Sequence, residues 1–295
     1  MKEQTFLKII ENHIGSEYIG DDCAYIKDLG IVVTQDSLVE NIHFKREWYT
    51  PYELGYKSVA VNISDIIASG GIPKYVTIGL SLPKDIDESF IEDFYKGASK
   101  ALFGAKIIGG DITGSEDKIF ISITAIGSDT KRKISSRKNA HEGYLIVTKG
   151  NLGSSAAGLK ELQNNGNSEK LINAHKLPQL EIDFSRQIAE NIKEDYAMMD
   201  TSDGLADALF KIAESSGVKI KVDYSKIPHL SNVSKQDVIF GGEDYKLIAA
   251  LPKEFIRNID NAAVIGEVLP FDGVRLEIGS DIFKTYDDLN VYNHF

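Results

Sequence analysis

Apolar residues along this chain fall into short runs that stop at small polar residues and carboxylates, and helical periodicity sets in behind several of the stops. The sharpest case is Ala197-Met198-Met199-Asp200-Thr201-Ser202-Asp203-Gly204-Leu205. A strand-like run ends at Asp200, and Leu205, Ala208, Leu209 and Ile212 then share one helical face, with Ser202 or Asp203 as the expected N-cap. Residues 31–34 form a β-rich run that halts at Gln35-Asp36-Ser37, and residues 105–108 halt at Gly109-Gly110-Asp111. Thr50-Pro51-Tyr52-Glu53 starts a helix with a capping box and a proline in its first turn, running to about residue 69 before Gly70-Gly71. Its apolar body carries a stripe of small polar groups, Ser58, Asn62, Asp65 and Ser69, at helical spacing, which predicts a face turned to a site rather than to bulk water.

Further strands are predicted over 74–81, 119–127, 144–148, 218–223 and 246–251, and helices over about 87–103 and 180–193, with another from residue 156. Val238-Ile239-Phe240 is a further apolar run, breaking at Gly241-Gly242-Glu243-Asp244. Residues 128–140 are the most polar and basic stretch. They divide the chain into an expected N-terminal unit, 1–136, and a C-terminal unit, 137–295.

Composition narrows the function classes. The chain has 295 residues, 42% hydrophobic and 26% charged, an ordinary globular balance with ample length for a core. The formal net charge of −11 disfavours a polyanion-binding surface, so no nucleic-acid partner is expected. A single cysteine, Cys23, rules out an intrachain disulfide and a Cys-based zinc site. The N-terminus reads as an amphipathic helix with Phe6, Ile9, Ile10 and His13 on one face rather than as a signal peptide, and no stretch is long and apolar enough to span a bilayer. A cytoplasmic protein with no membrane association is expected.

The chemistry suggested is that of carboxylates. Asp21/Asp22, Asp36, Asp111, Asp200/Asp203 and Glu243/Asp244 all sit where apolar runs break, and Asp65 faces the same way from its helix. Clustered carboxylates repel and raise one another's pKa, a cost that bound divalent cations relieve. Mg²⁺ on aspartates, with substrate phosphates completing the shell, is a recurrent arrangement for phosphoryl transfer. The P-loop, the dinucleotide fingerprint and the protein-kinase signatures are absent. The nearest candidate for a phosphate cradle is the loop 150–155 ahead of a helix, with Lys149 and Arg137 as candidate cationic contacts. Of the scattered histidines, His43 is the one next to a motif.

Taken in order, Gly20-Asp21-Asp22-Cys23-Ala24, Thr34-Gln35-Asp36-Ser37, Asn41-Ile42-His43-Phe44, Asn62-Ile63-Ser64-Asp65, Gly109-Gly110-Asp111, Ser154-Ser155-Ala156-Ala157-Gly158, Thr201-Ser202-Asp203-Gly204 and Gly241-Gly242-Glu243-Asp244-Tyr245 resemble the thiamine-monophosphate kinase family, within the aminoimidazole-ribonucleotide-synthetase-like ATP-binding superfamily. The resemblance covers nearly the whole chain, down to Tyr292-Asn293-His294-Phe295. It implies an α/β (α+β) fold of two domains, the N-terminal sheet pairing across a homodimer and the C-terminal part an α/β sandwich. It implies ATP- and Mg²⁺-dependent phosphorylation of thiamine monophosphate to thiamine diphosphate, by direct in-line transfer with several Mg²⁺ ions.

Position by position, the resemblance implies metal ligands at Asp22, Thr34, Gln35, Asp36, Asp65, Asp111, Asp200 and Asp203. It implies ATP contacts at Gly110, Asp111, Arg137 and Ser202, substrate contacts at His43, Glu243 and Tyr292, and the catalytic core at Asp36, Asp65, Asp111 and Asp203. Three positions depart from the family pattern: Gln35 stands for the usual Thr or Ser, Ser154 for a common Asp, and Leu177 for a usual Arg. The alternative is a catalytically silent metal- or nucleotide-binding member of the same superfamily.

Overall fold

The computed structural model describes residues 2–15 and 18–290, with side chains from residue 5 onward. Tyr292, expected as a substrate contact, lies outside the described residues. Two mixed sheets organise the chain, each with helices. The N-terminal part holds α1 (Lys2–Ile14), β1 (Ala24–Ile26), β2 (Ile31–Val39), α2 (Pro51–Ala68), β3 (Ile72–Leu82), α3 (Glu88–Lys100), β4 (Lys106–Gly114) and β5 (Phe120–Ser128). Its sheet runs in the order β1-β2-β5-β3-β4, and only the β3–β4 pair is parallel.

Alternation along these strands buries Val32, Val76, Ile78, Leu80, Ile121, Ile123 and Ala125 on the face that α2 covers. The other face carries Gln35, Ser37, Thr77, Ser81, Ser122 and Thr124, all half-buried or exposed. The predicted capping box starts α2: Thr50 Oγ1 accepts from Glu53 N–H at 3.2 Å, and the Glu53 carboxylate accepts from Thr50 N–H at 2.8 Å. Nearly every residue of α2 from Leu54 to Ala68 is buried, because α3 and the first sheet enclose it and α5, α6 and β7 reach it from the C-terminal part.

That C-terminal part comprises β6 (Leu145–Thr148), α4 (Ser154–Gln163), α5 (Glu169–Lys176), α6 (Ile182–Asn191), β7 (Ala197–Asp200), α7 (Leu205–Ser216), β8 (Lys219–Val222), α8 (Lys235–Phe240), β9 (Leu247–Leu251), β10 (Ala263–Leu269), β11 (Leu276–Ile278) and β12 (Asp281–Phe283). The sheet order is β12-β11-β8-β10-β6-β9-β7, with β8–β11 the parallel pair. Leu205, Ala208, Leu209 and Ile212 of α7 are fully buried, as their spacing predicts. Among the described residues no helix is long and apolar enough to cross a membrane.

Four local expectations are corrected. β2 does not halt at Gln35-Asp36-Ser37 but pairs through them to Val39, Gln35 facing Thr124 and Asp36 facing Ile123 across to β5. β4 likewise continues through its glycines on β3, and a Cβ at Gly110 would stand 1.8 Å from the Ile78 carbonyl oxygen, so only glycine fits there. Val238-Ile239-Phe240 closes the helix α8, capped by Ser234, rather than forming a strand. The N-cap of α7 is Gly204, at φ 105°, rather than Ser202 or Asp203. The apolar residues of α1 are exposed, Phe6 41% and Ile9 50%, so that helix forms without burying its predicted face.

Candidate active site

A cavity of about 730 Å³ opens between the two parts. Asp36, His43, Trp48 and Asp65 line it from the first part, and Ser202, Asp203, Glu243 and Tyr245 from the second. At one end lies a carboxylate cluster. Oxygens of Asp22, Asp65 and Asp200 all fall within 4.8 Å of one another, although the three come from a loop, the middle of α2 and the end of β7. Neutral and cationic groups fix the set. Thr34 Oγ1 donates to Asp65 Oδ2 at 2.6 Å, Ser64 Oγ to Asp200 Oδ2 at 2.5 Å, and Arg137 Nη2 to Asp22 Oδ1 at 2.5 Å. Asn62, one turn before Asp65, accepts the backbone N–H of Asp36 at 3.0 Å, which registers β2 against α2.

The electrostatics of this end are unfavourable without counter-charge. Burial, then repulsion from Asp203 and Asp22, pushes the Asp36 carboxyl up to about 6. Burial and Asp22 push Asp200 up to about 7, against Ser64 and the Ser202 backbone. Asp65 is raised well above the ordinary range by burial, Asp36 and Asp200. Asp22 is raised by burial in spite of Arg137. The Arg137 Nε is also buried without a partner. Crowded, largely buried oxygen donors of this kind suit a hard divalent cation, which would remove the repulsion that raises them.

The other end is a mixed network around Glu243. Lys57, fully buried in α2, lies 3.2 Å from Glu243 Oε1 and donates to Tyr49 Oη at 2.9 Å. His175 Nδ1 stands 3.0 Å from Ser155 Oγ and 3.5 Å from Glu243 Oε2. Burial, with Lys57 beside it, holds the His175 imidazole down at about 3, so it is neutral. His43 Nδ1 accepts the Val39 N–H at 3.0 Å, so the neutral ring carries its proton on Nε2. Glu243 N–H donates to the Ser202 carbonyl at 2.7 Å, tying the two motif loops together.

The structure therefore brings Asp22, Thr34, Asp36, Asp65, Asp200, Ser202, Asp203 and Arg137 to one end of the cavity, and His43 and Glu243 to its wall. Four expected residues are not joined to them. The Gln35 side chain points to the open face of the first sheet, bonded to Ser122 and Thr124, because strand alternation sends it opposite to Asp36. Its amide is therefore not in the carboxylate cluster. Gly110 and Asp111 lie on β4, with β3 and β5 between them and β2, roughly 14 Å across the sheet at about 4.8 Å per strand. Tyr292 lies outside the described residues.

The loop read as a phosphate cradle is occupied from within. Asp244 accepts the backbone N–H groups of Gly153 and Ser155, the latter at 2.8 Å. That carboxylate serves as the anion at the start of α4 and is not part of the cluster.

Comparison with known proteins places this geometry. Residues 20–128 match the family model "AIR synthase related protein, N-terminal domain", and residues 142–279 match "AIR synthase related protein, C-terminal domain". The chain is 36% identical to thiamine-monophosphate kinase of Aquifex aeolicus, over 93% of this chain and 94% of that one. It is 34% identical to the Bacillus subtilis thiamine-monophosphate kinase, over 94% and 93%. The chain belongs to the thiamine-monophosphate kinase family. Its fold is the two-domain α/β fold of that family: a solved structure of AaThiL complexed with AMPPCP and TMP superposes with a TM-score of 0.89, at 31% identity, covering 100% of this chain and 98% of that one.

Sequence reasoning missed Lys57, Ser64 and His175. Lys57 left a signal, since it and Asp65 are the only charged residues between Leu54 and Ser69. A charge in so apolar a helix requires a buried partner. Ser64 and His175 left none that periodicity could separate from ordinary packing.

Proposed function

We propose that this protein transfers the γ-phosphoryl group of ATP to thiamine monophosphate, giving thiamine diphosphate, with Mg²⁺ as the metal. The observation that carries the reading is the pairing, in one cavity, of a buried oxygen-donor cluster with the Glu243–His43 wall in a chain of this family. Mg²⁺ bound by Asp22, Asp36, Asp65, Asp200 and Asp203 would neutralise phosphate charge. Arg137 and Ser202 stand at the same end to meet the nucleotide, and His43 and Glu243 to meet the thiamine half. Among the described residues the cavity lining includes no cysteine, which supports direct in-line transfer governed by positioning. The intact carboxylates favour an active enzyme over a silent binding module, and a cytoplasmic setting suits both small-molecule substrates. The test is ADP formation with Mg-ATP, with and without thiamine monophosphate, and identification of the product. Turnover requiring both substrates and lost on chelation is expected; nucleotide binding with no turnover would leave the silent module standing.

The reading includes a homodimer, in which Asp111 and Gly110 serve the partner's cavity. Both sit on β4, the strand at one edge of the first sheet among the described residues, whose Ile108 and Ile112 are 56% and 61% exposed, and neither reaches this chain's own cluster. An apolar exposed edge is the kind of surface a second sheet covers. Asp65→Asn and Asp111→Asn are each expected to be inactive alone. If Asp111 acts across the dimer, an equal mixture after subunit exchange regains about one quarter of wild-type activity, since half the dimers are mixed and each has one intact site. A mixture as inactive as its components would sink the arrangement.

A further inference from the structure

We propose that Lys57 is a positioning residue for the substrate end of the cavity, its buried ammonium clamping Glu243 so that the carboxylate meets the substrate as a fixed anion; this rests on the kinase reading above. Lys57 and Asp65 lie on the same helix, about 12 Å apart along its axis at 1.5 Å per residue, so α2 addresses both ends of the cavity as one rigid body. The Lys57 side chain is 0% exposed, whereas that of Glu243 is 30% exposed and lines the cavity. The ammonium is held by Glu243 Oε1 at 3.2 Å, by Tyr49 Oη at 2.9 Å, and by the Tyr49 ring with its centroid 5.4 Å away. A lysine this deep is tolerated only with such partners.

The Glu243 backbone points the same way. Glu243 and Tyr245 adopt φ of 62° and 51°, left-handed conformations that non-glycine residues hold only where surrounding contacts impose them. Lys57 on the carboxylate and the Ser202 carbonyl on the N–H are two such contacts. Burial alone would raise the Glu243 carboxyl, but the Lys57 ammonium beside it outweighs burial and holds the group below its usual range. Tyr49 and Tyr245 also face it. Oε1 is engaged by Lys57, and Oε2 lies toward His175, whose Nδ1 is shared with Ser155. Lys57 therefore sets which carboxylate oxygen is spent on the protein.

The test compares wild type, Lys57→Met, Lys57→Gln, Glu243→Gln and the Lys57→Met/Glu243→Gln double variant by initial rates against each substrate. Lys57→Gln keeps a hydrogen-bonding head for Tyr49 should the Met variant fold poorly. Loss of Lys57 is expected to raise KM for thiamine monophosphate about tenfold, leave KM for ATP within about twofold, and add little to Glu243→Gln in the double variant. Equal changes in both KM values, no change, or effects that multiply would overturn the proposal. A second readout does not depend on the substrate: the ¹³C carboxyl shift of Glu243 followed with pH. Its midpoint is expected to rise by at least about one pH unit in Lys57→Met, and an unmoved midpoint overturns the proposal. Absence of thiamine monophosphate turnover in the wild type would instead remove the kinase reading and leave the carboxyl titration to decide the role of Lys57.

Discussion

Asp65→Asn is expected to lower kcat by about a thousandfold or more while making the magnesium-free protein more stable. The two effects share one cause. Asp65 belongs to the cluster, within reach of Asp22 and Asp200 and repelled by Asp36, and Thr34 is its only hydrogen-bonding relief among those described. Its charge is what a cation held there would require and what the neighbouring carboxylates resist. The folded pKa values of Asp36 and Asp200, about 6 and about 7, lie above the ordinary 3.8. Between roughly pH 4 and 7 the folded chain therefore binds more protons than the unfolded one, and stability falls as pH rises through that window. Above it the penalty from these two carboxylates is fully present. Asparagine at position 65 removes one charge and keeps an oxygen for Thr34, so its advantage without Mg²⁺ is expected at pH 8 and not at pH 4. At about 2–4 °C per kcal/mol, the gain is a few degrees in Tm. Wild type is expected to recover the difference on adding Mg²⁺, and the variant much less. A kcat within tenfold of wild type, or a Tm that falls at pH 8 without Mg²⁺, would show that Asp65 is a structural carboxylate.

The parts of this molecule that a sequence exposes are those where local chemistry and tertiary role coincide. The α2 start is written in Thr50, Pro51 and Glu53, and the capping box forms as read. The Asn62–Asp65 stripe is legible because small polar residues at helical spacing on an apolar helix have few other uses. The motif glycines mislead, because Gly109 and Gly110 suggest a stop where β3 supplies a pairing partner and β4 runs on. The same override hides Gln35. Only the observed register, with Gln35 opposite Thr124, shows that its side chain leaves by the other face. His175 is illegible for a different reason. It lies far along the chain from Lys57, Tyr49 and Glu243, and only the packing of α5 on α2 makes it their neighbour.

Gly97→Ala is expected to destabilise the fold by about 3 kcal/mol or more, and to disturb both ends of the cavity at once. Gly97 in α3 and Gly55 in α2 are places where the two helices touch backbone to backbone. A Cβ at Gly97 would lie 1.8 Å from the Tyr52 carbonyl oxygen, and one at Gly55 would lie 2.0 Å from that of Phe94. Neither glycine has a positive φ, so conformation is not the obstacle; space is. The obstructing atoms are backbone, which no rotamer change can withdraw, so an added methyl must push α2 and α3 apart. Gly114→Ala is the control, since nothing stands within 4 Å of its added Cβ. Chemical denaturation checks the prediction: the midpoint should fall for Gly97→Ala and hold for Gly114→Ala, and a loss below about 0.5 kcal/mol in the former would mean the contact is soft. The functional consequence follows from what α2 carries. Lys57, Asn62, Ser64 and Asp65 all take their places from its axis, and with them the Glu243 clamp, the Asp36 register and the carboxylate cluster. A displaced axis should therefore raise KM for both substrates in whatever Gly97→Ala protein remains folded, unlike Lys57→Met, which acts at one end only.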